Sequence, residues 1–111
     1  MKTNIPPDFI AVLTYKTHEQ GGRSLPVVSG YRPGITFPFD KMQTTGQQIF
    51  MNKELVYPGD VVEAEIRIPS VEYFANQLTE GMTFNFSEGE TIIGTGEIKQ
   101  IINERLRKAS R

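Results

Sequence analysis

The chain has one histidine, His18, which sits beside Glu19, and no cysteine. A His/Glu pair is half of a metal site or of an acid–base couple. With no second histidine and no thiolate to complete it, His18 reads as a surface-loop residue. The absence of cysteine also removes disulfides, thiolate zinc sites and cysteine nucleophiles. Glu63 and Glu65 stand two residues apart in an alternating segment, so they share one strand face, as paired glycosidase carboxylates would. Alternation explains them more simply as the wet side of a strand. No G-x-x-x-x-G-K-[ST] occurs, so there is no phosphate cradle and no basis for binding GTP. Gly94-Thr95-Gly96 lacks the third glycine of a dinucleotide loop. The expectation is a protein that is not an enzyme, with no catalytic, cofactor-binding or metal-binding residues.

The cations are more suggestive. The stretch "HEQGGRSLPVVSGYRPG", 18–34, gathers four of the ten glycines, two of the seven prolines, and both Arg23 and Arg32. Tyr31 and Arg32 could stack and clamp on a nucleic-acid strand. The structural alternative packs Tyr31 at a rim while Pro33-Gly34 turn the chain. Net charge is −1, but it is unevenly spread: up to Ile102 there are eight Lys/Arg against twelve Asp/Glu. The tail "NERLRKASR", 103–111, holds four against one, including Arg105, Arg107 and Lys108. Such a tail either touches an acidic surface or an RNA, or is a frayed, solvated terminus.

The elements that must position these residues read as strands. "VVEAEIRI" (61–68) alternates cleanly, with Val62, Ala64, Ile66 and Ile68 on one face. "FIAVLTYK" (9–16) is apolar on both faces, as a central strand is. "MTFNFS" (82–87) groups Met82, Phe84 and Phe86, and "TIIGTGEIKQII" (91–102) groups Ile92, Ile98 and Ile102. Gly94 and Gly96 inside that last strand mark a bend or a close backbone approach. "YPGD" (57–60) and "RPG" (32–34) have the order of type II turns, and "SEGE" (87–90) that of a tight hairpin. "LPVVSGY", "GITFPF" and "QQIFMNKEL" read as shorter strands. Only "PSVEYFANQLTEG" (69–81) could be helical, and it could equally be an ordered loop. Strands and turns at short intervals, without a βαβ rhythm, predict an all-β antiparallel sandwich or closed barrel in one domain.

At this point the motifs become specific. "GGRSLPVVSGYRP" resembles the "GGRHTPFFxGYRP" segment of the third, C-terminal domain of bacterial elongation factor Tu. "LVYPGDVVEAEIRI" is similar to that family's "MVMPGDNVKxxVxL", and "GMTFNFSEGETIIGTGEI" to its "GLRFAIREGGRTVGAGVV". The likeness runs in order from about Phe9 to Ile102. It implies a six-stranded antiparallel closed β-barrel at 9–102, flanked by an N-terminal extension at 1–8 and the basic tail at 103–111. In the family this domain packs on a second domain, helps cradle the T-stem of aminoacyl-tRNA and meets the nucleotide exchange factor. Arg23 keeps a family arginine that approaches the tRNA backbone. Ser24, Gly34, Thr83 and Glu90-Thr91 depart from the family pattern, and 69–80 is a few residues longer than the family's loop.

Two function classes follow. One is a non-catalytic protein-interaction module, self-associating or binding a partner of the translation machinery. Its candidate surface is Tyr73 and Phe74 in the longer segment, with Phe37 and Phe39; Ile49 and Phe50 are further candidates for exposure. The other is an RNA- or tRNA-binding module using Arg23, Arg32, Arg105, Arg107 and Lys108, whose binding would fade with salt. No segment has the apolar length of a membrane span, and the start lacks a signal-peptide pattern. The expectation is therefore a cytoplasmic protein with a protein partner or a second copy of itself, tRNA as the alternative ligand, and no membrane.

Overall fold

A computed structural model describes residues 5–109. Nine strands run in order: β1 Phe9–Tyr15, β2 Val27–Val28, β3 Gly34–Thr36, β4 Gln43–Thr45, β5 Gln47–Phe50, β6 Leu55–Val56, β7 Val61–Arg67, β8 Thr83–Glu88 and β9 Thr91–Ile101. Seven form one antiparallel sheet in the order β4-β3-β8-β9-β1-β7-β5, and β2 pairs with β6 as a separate ribbon. The described residues contain no α-helix.

The all-β antiparallel expectation holds, but the closed six-stranded barrel does not. The sheet curls into a half-barrel whose ladder has β4 and β5 as its edges. The reason is local. Pro33, Pro38 and Gly46 cut the 25–57 stretch into pieces of two to four residues, since proline cannot donate to a ladder. The two edges still meet, because only Gly46 separates them in the chain. There the Gly46 N–H donates to Pro33 O (3.0 Å), Gln48 N–H to Tyr31 O (2.8 Å) and Gly30 N–H to Gln48 O (2.7 Å). A side chain at Gly46 would run into Ile35.

β1 lies at the centre, between β7 and β9. It buries Phe9, Ala11, Leu13 and Tyr15 inside the curl while Ile10 and Val12 stay half-buried outside. β7 alternates as its sequence requires, with Val62, Ala64 and Ile66 inward. β9 breaks the expected pattern. The register skips Ile93 opposite Phe86/Ser87 and Lys99 opposite Ile10/Ala11. Each bulge flips the parity of the side chains. Ile93, Ile98 and Ile101 therefore face the core, whereas Ile92 is exposed and Ile102 only half-buried. The glycines of this strand serve close approach: a Cβ at Gly94 or Gly96 would strike the Phe86 or Phe84 ring directly opposite.

Of the two predicted Pro-Gly turns, one forms. At Tyr57–Asp60 the Asp60 N–H reaches Tyr57 O at 3.0 Å, and Gly59 takes a φ of 92°. That is the sign a type II turn demands at its third residue. At 32–34 there is no turn, because Gly34 is a strand residue of β3 paired with Thr45 and Ser87.

The 69–81 segment is a run of turns, not a helix. Its amides from Tyr73 to Ala75 donate back three or four residues, and then Asn76 adopts a φ of 64° and redirects the chain. The continuation docks on the C-terminal segment. Asn76 N–H donates to Arg105 O, the Gln77 and Leu78 amides to Leu106 O, and Lys108 N–H to Leu78 O. Phe74, Leu78 and Leu106 are fully buried. Residues 103–108 are therefore part of the fold, contrary to a frayed tail. Positions 110–111 of that tail and 1–4 of the expected extension lie outside the described residues. Asp8 joins the two ends of the chain: its carboxylate accepts from Ile68 N–H and the Asn103 amide, and its carbonyl from the Ile102 and Asn103 N–H groups.

Candidate functional site

Where β3 runs out, Pro38 stops the ladder, and the chain crosses the open end of the curl as Phe37-Pro38-Phe39-Asp40. A cleft of about 410 Å³ forms here between that loop and the start of β8, with Phe37 and Phe84 among its lining residues. The Phe37 and Phe39 rings stack at 5.8 Å and 3°, and Phe74 meets them edge-on at 5.1 and 6.2 Å. Tyr73 then meets Phe74 edge-on at 4.8 Å. Edge-on and offset contacts of this kind are favourable beyond the area they bury.

Asp40 fixes the two outer aromatics to one another. Its carboxylate accepts from the Met42 amide at 2.9 Å and from the Tyr73 hydroxyl at 2.8 Å. Those two bonds, the backbone one first, hold the Asp40 carboxyl below its ordinary value, and the same bond pushes the Tyr73 hydroxyl up. The candidate interface is corrected in part. Phe37 is 1% exposed and Phe74 0%, so both are core. Phe39 at 40% and Tyr73 at 48% are the two that reach the surface, with Met42 nearby in sequence at 47%. Phe50 is buried and Ile49 half-buried.

The Arg23 region is a closed electrostatic cluster. Thr17 caps the 3-10 turn His18–Gln20 with a capping box, and the chain then turns back through Gly21 and Gly22. Arg23 pairs with Glu88, donates to Leu25 O at 3.2 Å, and lies over the Tyr31 ring at 5.6 Å. The Tyr31 hydroxyl also donates to Glu88. Burial first, and then the Glu88 carboxylate, push the Tyr31 hydroxyl far up. Burial pulls the Arg23 pKa down, but the bond and charge of Glu88 outweigh it and the net shift is upward. Beneath, Tyr15 donates to the buried Gln48 side chain, and burial raises the Tyr15 hydroxyl strongly. His18 and Glu19 are exposed on the same turn. Among the described residues, no three His, Cys, Asp or Glu side chains group as metal ligands.

The basic tail is largely paired as well. Arg105 meets Glu72, and Arg107 meets Glu104 at 2.6 Å and Glu80 at 3.3 Å. Lys108 is exposed, with its main chain tied to Leu78. Glu80 also accepts from the Ile101 amide, and that bond, followed by Arg107, lowers its pKa; Arg107 lowers that of Glu104. Arg32 is exposed on the outer face, away from Arg23, and shares a groove with Arg67. The sequence reading missed Glu88 as the partner of Arg23, because the two are brought together only by the sheet. It also missed Asp40, whose position after Phe39 carries no recognisable signal. No family model matches the sequence.

Proposed function

We propose that this is a non-catalytic protein-interaction module, related through its motifs to the third domain of elongation factor Tu, that binds an apolar or aromatic side chain of a protein partner at Phe39 and Tyr73. The observation that carries the reading is the Asp40 clasp. Phe39 lines the cleft beside Phe37 and Phe84, and Tyr73, bonded to Asp40 of the same cleft, is held half in water. A soluble surface does not ordinarily hold such residues together without a use for them, and aromatic anchors beside a pocket are the usual energetic centre of an interface. The translation-linked partner rests on the motif resemblance. The RNA reading draws less support, because Arg23, Arg105 and Arg107 already spend their charge on glutamates.

The test is the double variant Phe39→Ser/Tyr73→Ser, compared with wild type by sedimentation and by cross-linked capture from cells. The expected result is loss of self-association or of a captured protein, with an unchanged circular dichroism spectrum. Identical association by the two proteins would reject the interface. Capture that disappears on ribonuclease treatment would favour RNA.

A further inference from the structure

We infer that the groove holding Arg32 and Arg67 is an oxyanion site for a small acid with an apolar body, a phosphate monoester or a carboxylate. The inference does not depend on the Phe39/Tyr73 interface. Tyr31 pairs with Gln48 in antiparallel register, which sets Arg32 opposite Gln47, and Gln47 pairs in turn with Arg67. Gln48 and Ile66 point into the core, so Arg32, Gln47 and Arg67 form one row across the outer face. Two strand spacings separate the arginines by roughly 10 Å at the backbone. Both side chains line the same groove, and arginine stems are long enough for the two guanidinium groups to reach one anion between them.

Arg32 differs from Arg23, Arg67, Arg105 and Arg107, each of which has a carboxylate partner. The Arg32 side chain has no hydrogen bond or ion pair among the described residues. Arg67 lies mostly covered, with 20% of its side chain exposed. Its one ion pair, to Glu65, is long at 3.4 Å, and its other bond goes to Ile5 O at 2.8 Å. Its Nε is buried and finds no acceptor in the described protein. Asp8 also lines the groove, but both of its oxygens are turned to other donors, Ile68 N–H and the Asn103 amide.

The groove encloses about 640 Å³, within the range of small-molecule sites. Thr45 and Gln47 offer neutral donors beside the cations, and Ile68, Pro69 and Val71 supply an apolar wall. Planar donors facing an oxyanion favour phosphate or carboxylate geometry. The apolar wall favours an anion that carries a hydrophobic group over a bare ion.

The experiment titrates inorganic phosphate, phenyl phosphate and benzoate into the full chain. Binding is followed by calorimetry and by the amide NMR shifts of Thr45, Gln47 and Arg67. The expected result is saturable binding of at least one aromatic probe, tighter than inorganic phosphate. Arg32→Ala, at an exposed position, should weaken it about tenfold or more, the size expected of a charged hydrogen bond. Arg67→Lys, which keeps the charge but loses the planar guanidinium fork, should also weaken it. The tighter of the two aromatic probes identifies the oxyanion. Absence of saturation for all three probes up to about 10 mM, or wild-type affinity in both variants, would overturn the site.

Discussion

The sheet and the docked segment at 69–81 bury aromatic and aliphatic side chains by different means. In the sheet, ladders fix every residue, and the hydrophobic pattern follows from the pleat. Phe84 and Phe86 pack because β8 sits beside β9 in register with Gly96 and Gly94. In the docked segment there is no ladder to set the register. A short parallel bridge, Leu78 to Arg107, and main-chain bonds to residues 105, 106 and 78 hold it. Three plugs, Phe74, Leu78 and Leu106, fill the end of the curl. The same aromatic neighbours, Tyr73 and Phe74, thereby take opposite roles: one is a surface group and the other is core. A ladder makes burial predictable from parity, whereas a dock makes it depend on which side chain finds the hole.

The sharpest test of that contrast is the adjacent pair. Phe74→Ala leaves a cavity against Phe37 and Phe39 and should cost about 3–5 kcal/mol in urea unfolding. Tyr73→Ala, one residue away, should cost only about 1 kcal/mol, the size of a single exposed hydrogen bond and ring contact. Equal losses would mean that the segment is held by its surface and not by its plug.

The next effect in size separates the dock from the sheet. Leu106→Ala should cost about 2–5 kcal/mol, and it should do so unevenly. Hydrogen exchange at Leu78 and Lys108, whose amides donate across the dock, should accelerate more than exchange at Ala11 or Ala64 in β1 and β7. Local opening of this kind is what a segment held by few bonds allows. Uniform acceleration across the sheet would show that dock and sheet unfold as one unit.

Much of the sheet was legible in the sequence and little of the dock. Period-two alternation places β7 and the inward face of β1 correctly, since each lies in an unbroken ladder. The same arithmetic misplaces Ile92 and Ile102. A bulge leaves no mark that separates it from a regular strand, and β9 has two. Strand number was beyond the sequence as well: β4, Gln43–Thr45, has no apolar alternation to mark it, and "GITFPF" yields only the three residues of β3 before Pro38. At the candidate site, Phe39 and Tyr73 were found by their types, but Phe37 and Phe74 were grouped with them because burial in a dock has no period. The cations were found too, while their glutamate partners, 65 residues away in the case of Arg23 and Glu88, were not. Local spacing locates charges, and only the tertiary fold tells which of them are spent.

The smallest expected effect is acidic, and it belongs to the dock and the Asp40 clasp. Glu80, Glu104 and Asp40 all have folded-state pKa values below their ordinary ones, through the Ile101 amide and Arg107, through Arg107, and through the Met42 amide and Tyr73 respectively. A depressed carboxyl binds protons less readily when folded than when unfolded. Its contribution to stability is therefore complete above the ordinary carboxyl range, at about pH 4. It is lost as pH falls through the lower folded value. Glu80 and Glu104 are solvent-exposed, so salt screens the ion-pair part of the effect. Thermal unfolding followed from pH 7 downward should show a declining midpoint below about pH 4.5. Glu80→Gln should flatten that decline more than Glu104→Gln, because Glu80 alone of the two also accepts a main-chain N–H, an interaction less exposed to screening. The dock should loosen before the sheet, so exchange at the Leu78 and Lys108 amides should rise first. If both variants decline in parallel with wild type, the acid sensitivity lies elsewhere, and the ion pairs around Arg107 contribute geometry without stability.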